Sequence, residues 1–267
     1  MEQTLVSRID TISDYCLTMG SLFDGIGGFP LAGIRCGVIP LWASEIEGFP
    51  IQVTKKHFPY MRHVGDIKEL RGEYLQPVDI ICGGSPCQDL SVAGARAGLA
   101  GSRSSLFLEQ IRITREMRYA DIRAGCPAFL VRPRLFVWEN VPGAFSSGPE
   151  KGDDFRVVVE QAMRIAEPTA TVPKPAKGCW GPAGFVLGDQ SSVAWRVLDA
   201  QYWGVPQRRS RIFLVADLGG FAAYQVLFEP ESVPRYFTPR YRKRKTLTSP
   251  AGICLEDTSG PHLLLPD

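Results

Sequence analysis

The chain has 267 residues, 45% of them hydrophobic and 22% charged, with 30 Lys and Arg against 28 Asp and Glu. That composition belongs to an ordinary globular protein with one sizeable core, and the net charge of +2 says nothing by itself about nucleic acid. Seven irregularly spaced cysteines exclude a disulfide framework, no apolar run is long enough for a membrane span, and residues 1–14 lack a signal peptide's apolar core, so a reduced, cytoplasmic setting is expected.

Short apolar runs alternate with amphipathic segments, which predicts an α/β domain with a largely parallel sheet. A first strand is expected at 15–23, then a glycine turn (Gly25, Gly27, Gly28) and a helix at 28–36. Glycines let a backbone approach a ligand, and a helix N-terminus offers free N–H groups to an anion. The spacing is not the G-x-G-x-x-G of dinucleotide binders. A second strand at 41–44 ends at Glu45, 20 residues after Gly25, where a carboxylate can accept from both ribose hydroxyls. After a helix at 49–57 and another short apolar stretch comes Asp66, a candidate acceptor for an adenine amino group. The glycines alone fit a structural turn equally well. With acids after both following strands, they point to a ligand carrying adenine, ribose and an anionic group that need not be a pyrophosphate.

A third strand, 78–82, leads into Gly84-Ser85-Pro86-Cys87-Gln88, so Cys87 is expected at the carboxyl edge of the sheet, where α/β ligands bind. A thiol is a good nucleophile only as thiolate, with an unperturbed pKa of about 8.5, and needs nearby positive charge to lower it. Arg209 and Arg211 are candidates for that charge. Cys82 and Cys87 do not make a metal pair with only three scattered histidines, and no metal site is expected. The stretch 91–105 carries Gly94, Gly98 and Gly101 with Arg96 and Arg103, a glycine-hinged basic loop suited to closing over a polyanion. A helix at 104–119 and a strand at 135–138 follow, and Glu139-Asn140-Val141 lands on the same edge, with Trp138 and Val141 as apolar neighbours of the Glu139 carboxyl. Segments 143–152 and 167–189 read as irregular loops around a helix at 153–166. Val193, Ala194, Val197 and Leu198 suggest a helix at 192–202. Gln207-Arg208-Arg209-Ser210-Arg211 runs into a strand at 211–216, with Arg209 and Arg211 on one face. From 219 onward periodicity is weak, and 235–245 holds six basic residues interleaved with Tyr236, Phe237 and Tyr241, which fits either phosphate contact or a solvated tail.

Taken in order, these motifs resemble the C5-cytosine DNA methyltransferases over about residues 17–217. The pairing of Pro86-Cys87-Gln88 with Glu139-Asn140-Val141 is the most specific part, supported by Gly101 to Phe107 and Gln207 to Arg211. The resemblance implies a doubly wound, Rossmann-like S-adenosylmethionine-dependent methyltransferase fold over 1–217 and a basic tail, 218–267, at the start of a recognition region. It implies S-adenosylmethionine as cofactor, S-adenosylhomocysteine as product and double-stranded DNA as partner. Phe23, Asp24, Gly25, Ile26, Gly27, Gly28, Glu45, Ile46, Asp66, Ile67, Pro86 and Leu106 would then line the cofactor site. Cys87 would add to C6 of a flipped cytosine, Glu139 would bind N3 and the exocyclic amine, Arg211 would hold O2, and Arg209 would support it.

Two departures stand in the first motif: Ser21 where many members have Asp, and Asp24 where small residues are common. A third is the ending. After Asp217 the family's recognition domain and closing Gly-Asn segment are not recognisable, which fits a two-subunit enzyme whose second polypeptide supplies them, a truncated protein, or a basic tail acting as a minimal reader. Two other functions stay open: a transfer-RNA C5-cytosine methyltransferase, and a catalytically silent subunit of the same fold that binds DNA or a partner.

Overall fold

The computed structural model describes residues 16–86, 106–148, 150–175, 178–228 and 262–264. Cys87, the glycine-hinged loop and the basic run lie outside them. The described residues form one nine-stranded sheet: β1 (Thr18–Leu22), β2 (Ile39–Ser44), β3 (Arg62–His63), β4 (Ile80–Gly83), β5 (Leu135–Asn140), β6 (Ala183–Leu187), β7 (Ser192–Asp199), β8 (Ser210–Asp217) and β9 (His262–Leu264). The spatial order is β3-β2-β1-β4-β5-β8-β7-β6-β9. The first four pairings are parallel and the last four antiparallel, so β8 and β6 are reversed and the other seven strands share one direction. The sheet is therefore mostly parallel, as the alternating pattern predicts.

Helices lie on both faces: α1 (Gly28–Arg35), α2 (Gly48–His57), α3 (Leu106–Arg123), α4 (Asp153–Met163) and a short α5 (Ala223–Leu227). Period-two alternation sorts the side chains between two layers. Phe136 and Trp138 of β5 and Ile212 and Leu214 of β8 join Phe155, Trp180 and Trp195 in a core under α4. Phe155 meets the rings of Phe145, Trp180 and Trp195 edge-on, with centroids 4.6, 5.0 and 5.5 Å apart. Leu22, Trp42 and Ile81 pack under Ile113 and Met117 of α3. On the opposite face, Ala43 meets Phe58 and Met61 beyond α2, while Ala194 and Val215 meet Ala223 of α5.

Two sequence expectations are corrected. The expected helix at 192–202 is strand β7 followed by a 3₁₀ turn, Ala200–Trp203. Ser192, Val193, Ala194 and Trp195 are all buried because β7 lies inside the sheet with a layer on each face, so no alternation marks it as a strand. Within the expected loop 167–189, Ala183–Leu187 forms β6 and pairs with β7. Among the described residues, no helix is long and apolar enough to cross a membrane.

Candidate active site

Because β1, β2, β4 and β5 are parallel and β8 enters antiparallel, their functional ends meet at one edge. The chain leaves β1 through Phe23, at φ 55 the one non-glycine residue with positive φ among the described residues. That conformation costs about 1–2 kcal/mol and tends to persist where a site demands it. Gly25 and Gly27 follow at φ 56 and 87, and Gly27 caps α1. A side chain at Gly25 or Gly28 would meet nothing within 4 Å among the described residues. This is a cradle whose floor is backbone.

Glu45 ties the cradle to β2. One oxygen accepts from the Gly25 N–H at 2.7 Å, and the other from Ile46 and Glu47 at 2.8 and 3.0 Å. The Asp24 N–H donates to the Ser44 carbonyl at 3.1 Å. Asp24 itself is buried and accepts from Ser21 Oγ at 2.6 Å, so the two departures from the family pattern touch each other. Burial pushes its carboxyl up to about 6; the Ser21 hydrogen bond opposes that and the nearby Glu45 charge adds to it. Ile26 and Ile46 are about two-thirds exposed at the rim, at 65% and 66%. Asp66 accepts from the Lys68 N–H at 2.9 Å on an exposed turn, while the Ile67 side chain is buried in the core under α3 rather than facing the rim. Leu106, the first residue of α3, packs half-buried against that same core.

A second constellation lies across the edge. Arg211 Nε is 3.0 Å from Glu139 Oε1, and Arg209 approaches the same oxygen at 3.9 Å. Both guanidiniums thus reach one carboxylate, as their two-residue spacing predicts. The apolar surroundings expected for Glu139 are corrected: alternation along β5 turns Trp138 and Asn140 to the opposite face, leaving Glu139 about a quarter exposed among guanidiniums. Gly84 is the floor here. A Cβ on it would fall 2.8 Å from Glu139 Oε2, so any other residue would displace the acid.

Three residues without an assigned role from the sequence hold this arrangement. Trp138 Nε1 donates to Ser85 Oγ at 3.0 Å and Asn140 Nδ2 donates to the Ser85 carbonyl at 3.1 Å, anchoring the turn before Pro86. Asp199 accepts from Gln201 N–H, Gln201 Nε2, Arg209 N–H and Ser210 Oγ at 2.8–3.1 Å, closing the loop that ends in the two arginines. These bonds outweigh the burial that would raise its pKa and hold Asp199 below the usual carboxylate range. Asp199 falls inside the helix the sequence suggests at 192–202, so nothing in the sequence marks it except an acid ten residues before Arg209. Among the described residues, no group of three His, Cys, Asp or Glu could hold a metal ion.

The cradle fits S-adenosylmethionine on its own features: open backbone at Gly25 and Gly28, an acid after β2, and a buried Asp24 oxygen, Oδ2, with no hydrogen-bond partner among the described residues. Comparisons with known proteins return DNA methyltransferases. A DNA N-6-adenine-methyltransferase of Escherichia phage P1 is 37% identical over 254 residues, 87% of this chain and 33% of that protein. The Type II methyltransferase M.HhaI of Haemophilus parahaemolyticus is 28% identical over 194 residues, 73% of this chain and 47% of that enzyme. The chain thus spans between a third and a half of the length of these relatives. A solved DNA modification methyltransferase encoded within an E. coli prophage superposes with a TM-score of 0.50 at 24% identity, covering 75% of this chain and 46% of that one, which supports the fold. The model of the C-5 cytosine-specific DNA methylases matches residues 17–164, more than half of the sequence, and the chain belongs to that family.

Proposed function

We propose that the protein methylates carbon 5 of cytosine in DNA, with Cys87 as nucleophile. The observation that carries the reading is the Glu139–Arg211 pair, 3.0 Å apart over Gly84, two residues upstream of Pro86 and three of Cys87. Carbon 5 of cytosine is a poor nucleophile until something adds at carbon 6. The Cys87 thiolate forms a bond to C6, and the electron pair of the C5–C6 double bond moves toward the ring nitrogen and carbonyl. Glu139 delivers a proton to N3 and accepts from the exocyclic amine, and Arg211 donates to O2, so the negative charge that builds in the ring is neutralised by groups already in place. Arg209, half exposed, supports Glu139 from the solvent side. The cradle from Phe23 to Gly28, with Glu45, would hold S-adenosylmethionine, which would supply an electrophilic methyl group. As carbon 5 takes the methyl the methyl–sulfur bond breaks, its electron pair stays on sulfur and S-adenosylhomocysteine departs; a base then removes the C5 proton, the double bond re-forms, and Cys87 leaves as thiolate. A stacked base cannot reach this edge, so the cytosine is extruded from the duplex.

The name of the phage P1 relative raises a different product, methylated on the exocyclic amine of adenine. Transfer to an amine needs no covalent adduct, whereas Gly84-Ser85-Pro86-Cys87 followed by Glu139 and Arg211 is what addition at C6 requires. Incubating the protein with labelled cofactor and unmethylated DNA, then separating the nucleosides, distinguishes the two. Label in 5-methylcytosine supports the reading, and label in N6-methyladenine overturns it. Covalent capture of the chain on 5-fluorocytosine DNA, lost in Cys87→Ser, supports the adduct; capture that persists in Cys87→Ser overturns the choice of nucleophile.

A further inference from the structure

The acids at the carboxyl edge differ in how fully their oxygens are used. Glu45 serves three backbone N–H groups, Asp199 accepts four hydrogen bonds, Asp66 accepts from Lys68, and Glu139 has Arg211. Asp24 uses only Oδ1, for Ser21; its Oδ2 is buried without a partner among the described residues, in a residue 6% exposed. Among the described residues the groups that act on it are Ser21 of β1 and Glu45 after β2, neither of them a cation, and its charge in turn acts on the Cys82 thiol of β4. Asp24 and burial together push the Cys82 thiol far above its ordinary range, burial first. A carboxylate facing another acid and a thiol, with an unused oxygen, is electrostatically incomplete. Its natural complement is a positive charge brought by a ligand.

The place says which charge. Asp24 sits between Phe23 and Gly25, both at positive φ, and its carbonyl accepts from the Gly27 N–H at 3.1 Å, one residue before α1. A negative side chain therefore lies one turn from an eight-residue helix whose first N–H groups favour an anion. A free amino acid carries an ammonium and a carboxylate on one carbon, and this pairing matches both. Gly25 and Gly28 leave the approach clear.

We infer that Asp24 accepts the ammonium group of the ligand's amino-acid tail while the N-terminus of α1 takes its carboxylate, so that the cradle selects a zwitterion. The inference rests on reading the cradle as the S-adenosylmethionine site. It predicts that binding depends on a tail the adenosine half does not contain.

Titration calorimetry on the full chain tests it with three ligands. S-adenosylmethionine and S-adenosylhomocysteine both carry the zwitterion; 5′-methylthioadenosine lacks it. Asp24→Asn weakens the first two alike, by about ten- to a hundredfold for loss of a charge-assisted hydrogen bond, and leaves the third unchanged. A loss confined to S-adenosylmethionine assigns Asp24 to the sulfonium and overturns the proposal. Equal losses for all three mean that Asp24 only holds the turn, and overturn it too. Wild-type protein gives a readout that needs no substitution. The ratio of S-adenosylhomocysteine to 5′-methylthioadenosine affinity falls as pH drops from 8 to 5 and Asp24 is protonated; a flat ratio overturns the proposal. Wild-type protein that binds none of the three removes the cofactor reading itself, an outcome visible without any variant.

Discussion

At the amino edge of the sheet, polar groups close on one another. Asp79 accepts from the Thr18 backbone and hydroxyl, each at 2.7 Å. The buried Arg118 donates to the carbonyls of Val131, Pro133 and Leu218. Arg134 meets the buried Asp217 through two hydrogen bonds, 3.0 and 3.1 Å long. A cavity of about 370 Å3 opens there, lined by Leu17, Leu130 and Leu135, yet its charged members, Asp79, Arg132 and Arg134, are already bonded within the protein. The carboxyl edge uses similar residue types and leaves them unfinished: a strained Phe23, an unused Asp24 oxygen, a Glu139 open to solvent. On the proposed function the difference separates residues that hold the sheet from residues that serve a ligand, and cavity volume does not make that separation.

The sharpest way to break the comparison is at Cys87. Cys87→Ser should lower methyl transfer by at least about 10³-fold, the scale expected when a covalent route is closed, while S-adenosylmethionine affinity by calorimetry stays within about twofold of wild type. Next comes Glu139→Gln, which keeps the shape above Gly84 and removes the charge facing Arg211. Transfer should fall by about 10²–10³-fold, the usual cost of losing a group aimed at developing charge, with an unchanged melting temperature. A collapse in stability instead would class Glu139 with the amino-edge residues.

Asp217→Ala probes the other side. Burial alone would raise the Asp217 pKa, but Arg134 and the N–H groups of Ala222 and Gly219 hold it below the usual range. Its folded value lies below its unfolded one, so its stabilisation is full above the unfolded pKa and is lost as pH falls through the folded one. The substitution should cost about 2–3 kcal/mol by denaturant titration at pH 7, leave cofactor affinity intact, and flatten the acid limb of the stability curve.

What the sequence makes legible follows the same division. The glycine turn, Glu45, Glu139 and the two arginines are readable because their spacing encodes strand ends, and a parallel sheet gathers those ends at one edge. Strand β7 is unreadable because burial on both faces removes the alternation, leaving Val193, Ala194, Val197 and Leu198 to mimic a helix. Strand β6, five residues between Pro182 and Gly188, is masked by turn-forming neighbours. Ile67 is assigned by position alone, and its side chain packs in the core. The Ser21–Asp24 hydrogen bond is unreadable for another reason: two unusual residues three apart become one feature only after the strand ends and the chain turns.

Asp24 also sharpens the comparison through stability, with the smallest effect and the opposite sign to Asp217. Its folded pKa of about 6 lies above the unfolded 3.8, so between those values the folded chain binds more protons. Stability without ligand therefore falls as pH rises from about 4 to about 6 and stays level above that, where the ionised carboxylate is a standing cost. Two units at about 1.4 kcal/mol each set a ceiling near 3 kcal/mol, and a buried amide that needs its own partners takes back part of it. Asp24→Asn should thus raise the stability of the ligand-free protein at pH 8 by about 1–2 kcal/mol and leave it unchanged at pH 4, read from urea midpoints at the two pH values. A destabilised Asp24→Asn at pH 8 would place Asp24 among the residues that hold the sheet. A stabilised one would mark the cradle as a site where the fold keeps an unfavourable charge that only a ligand can neutralise.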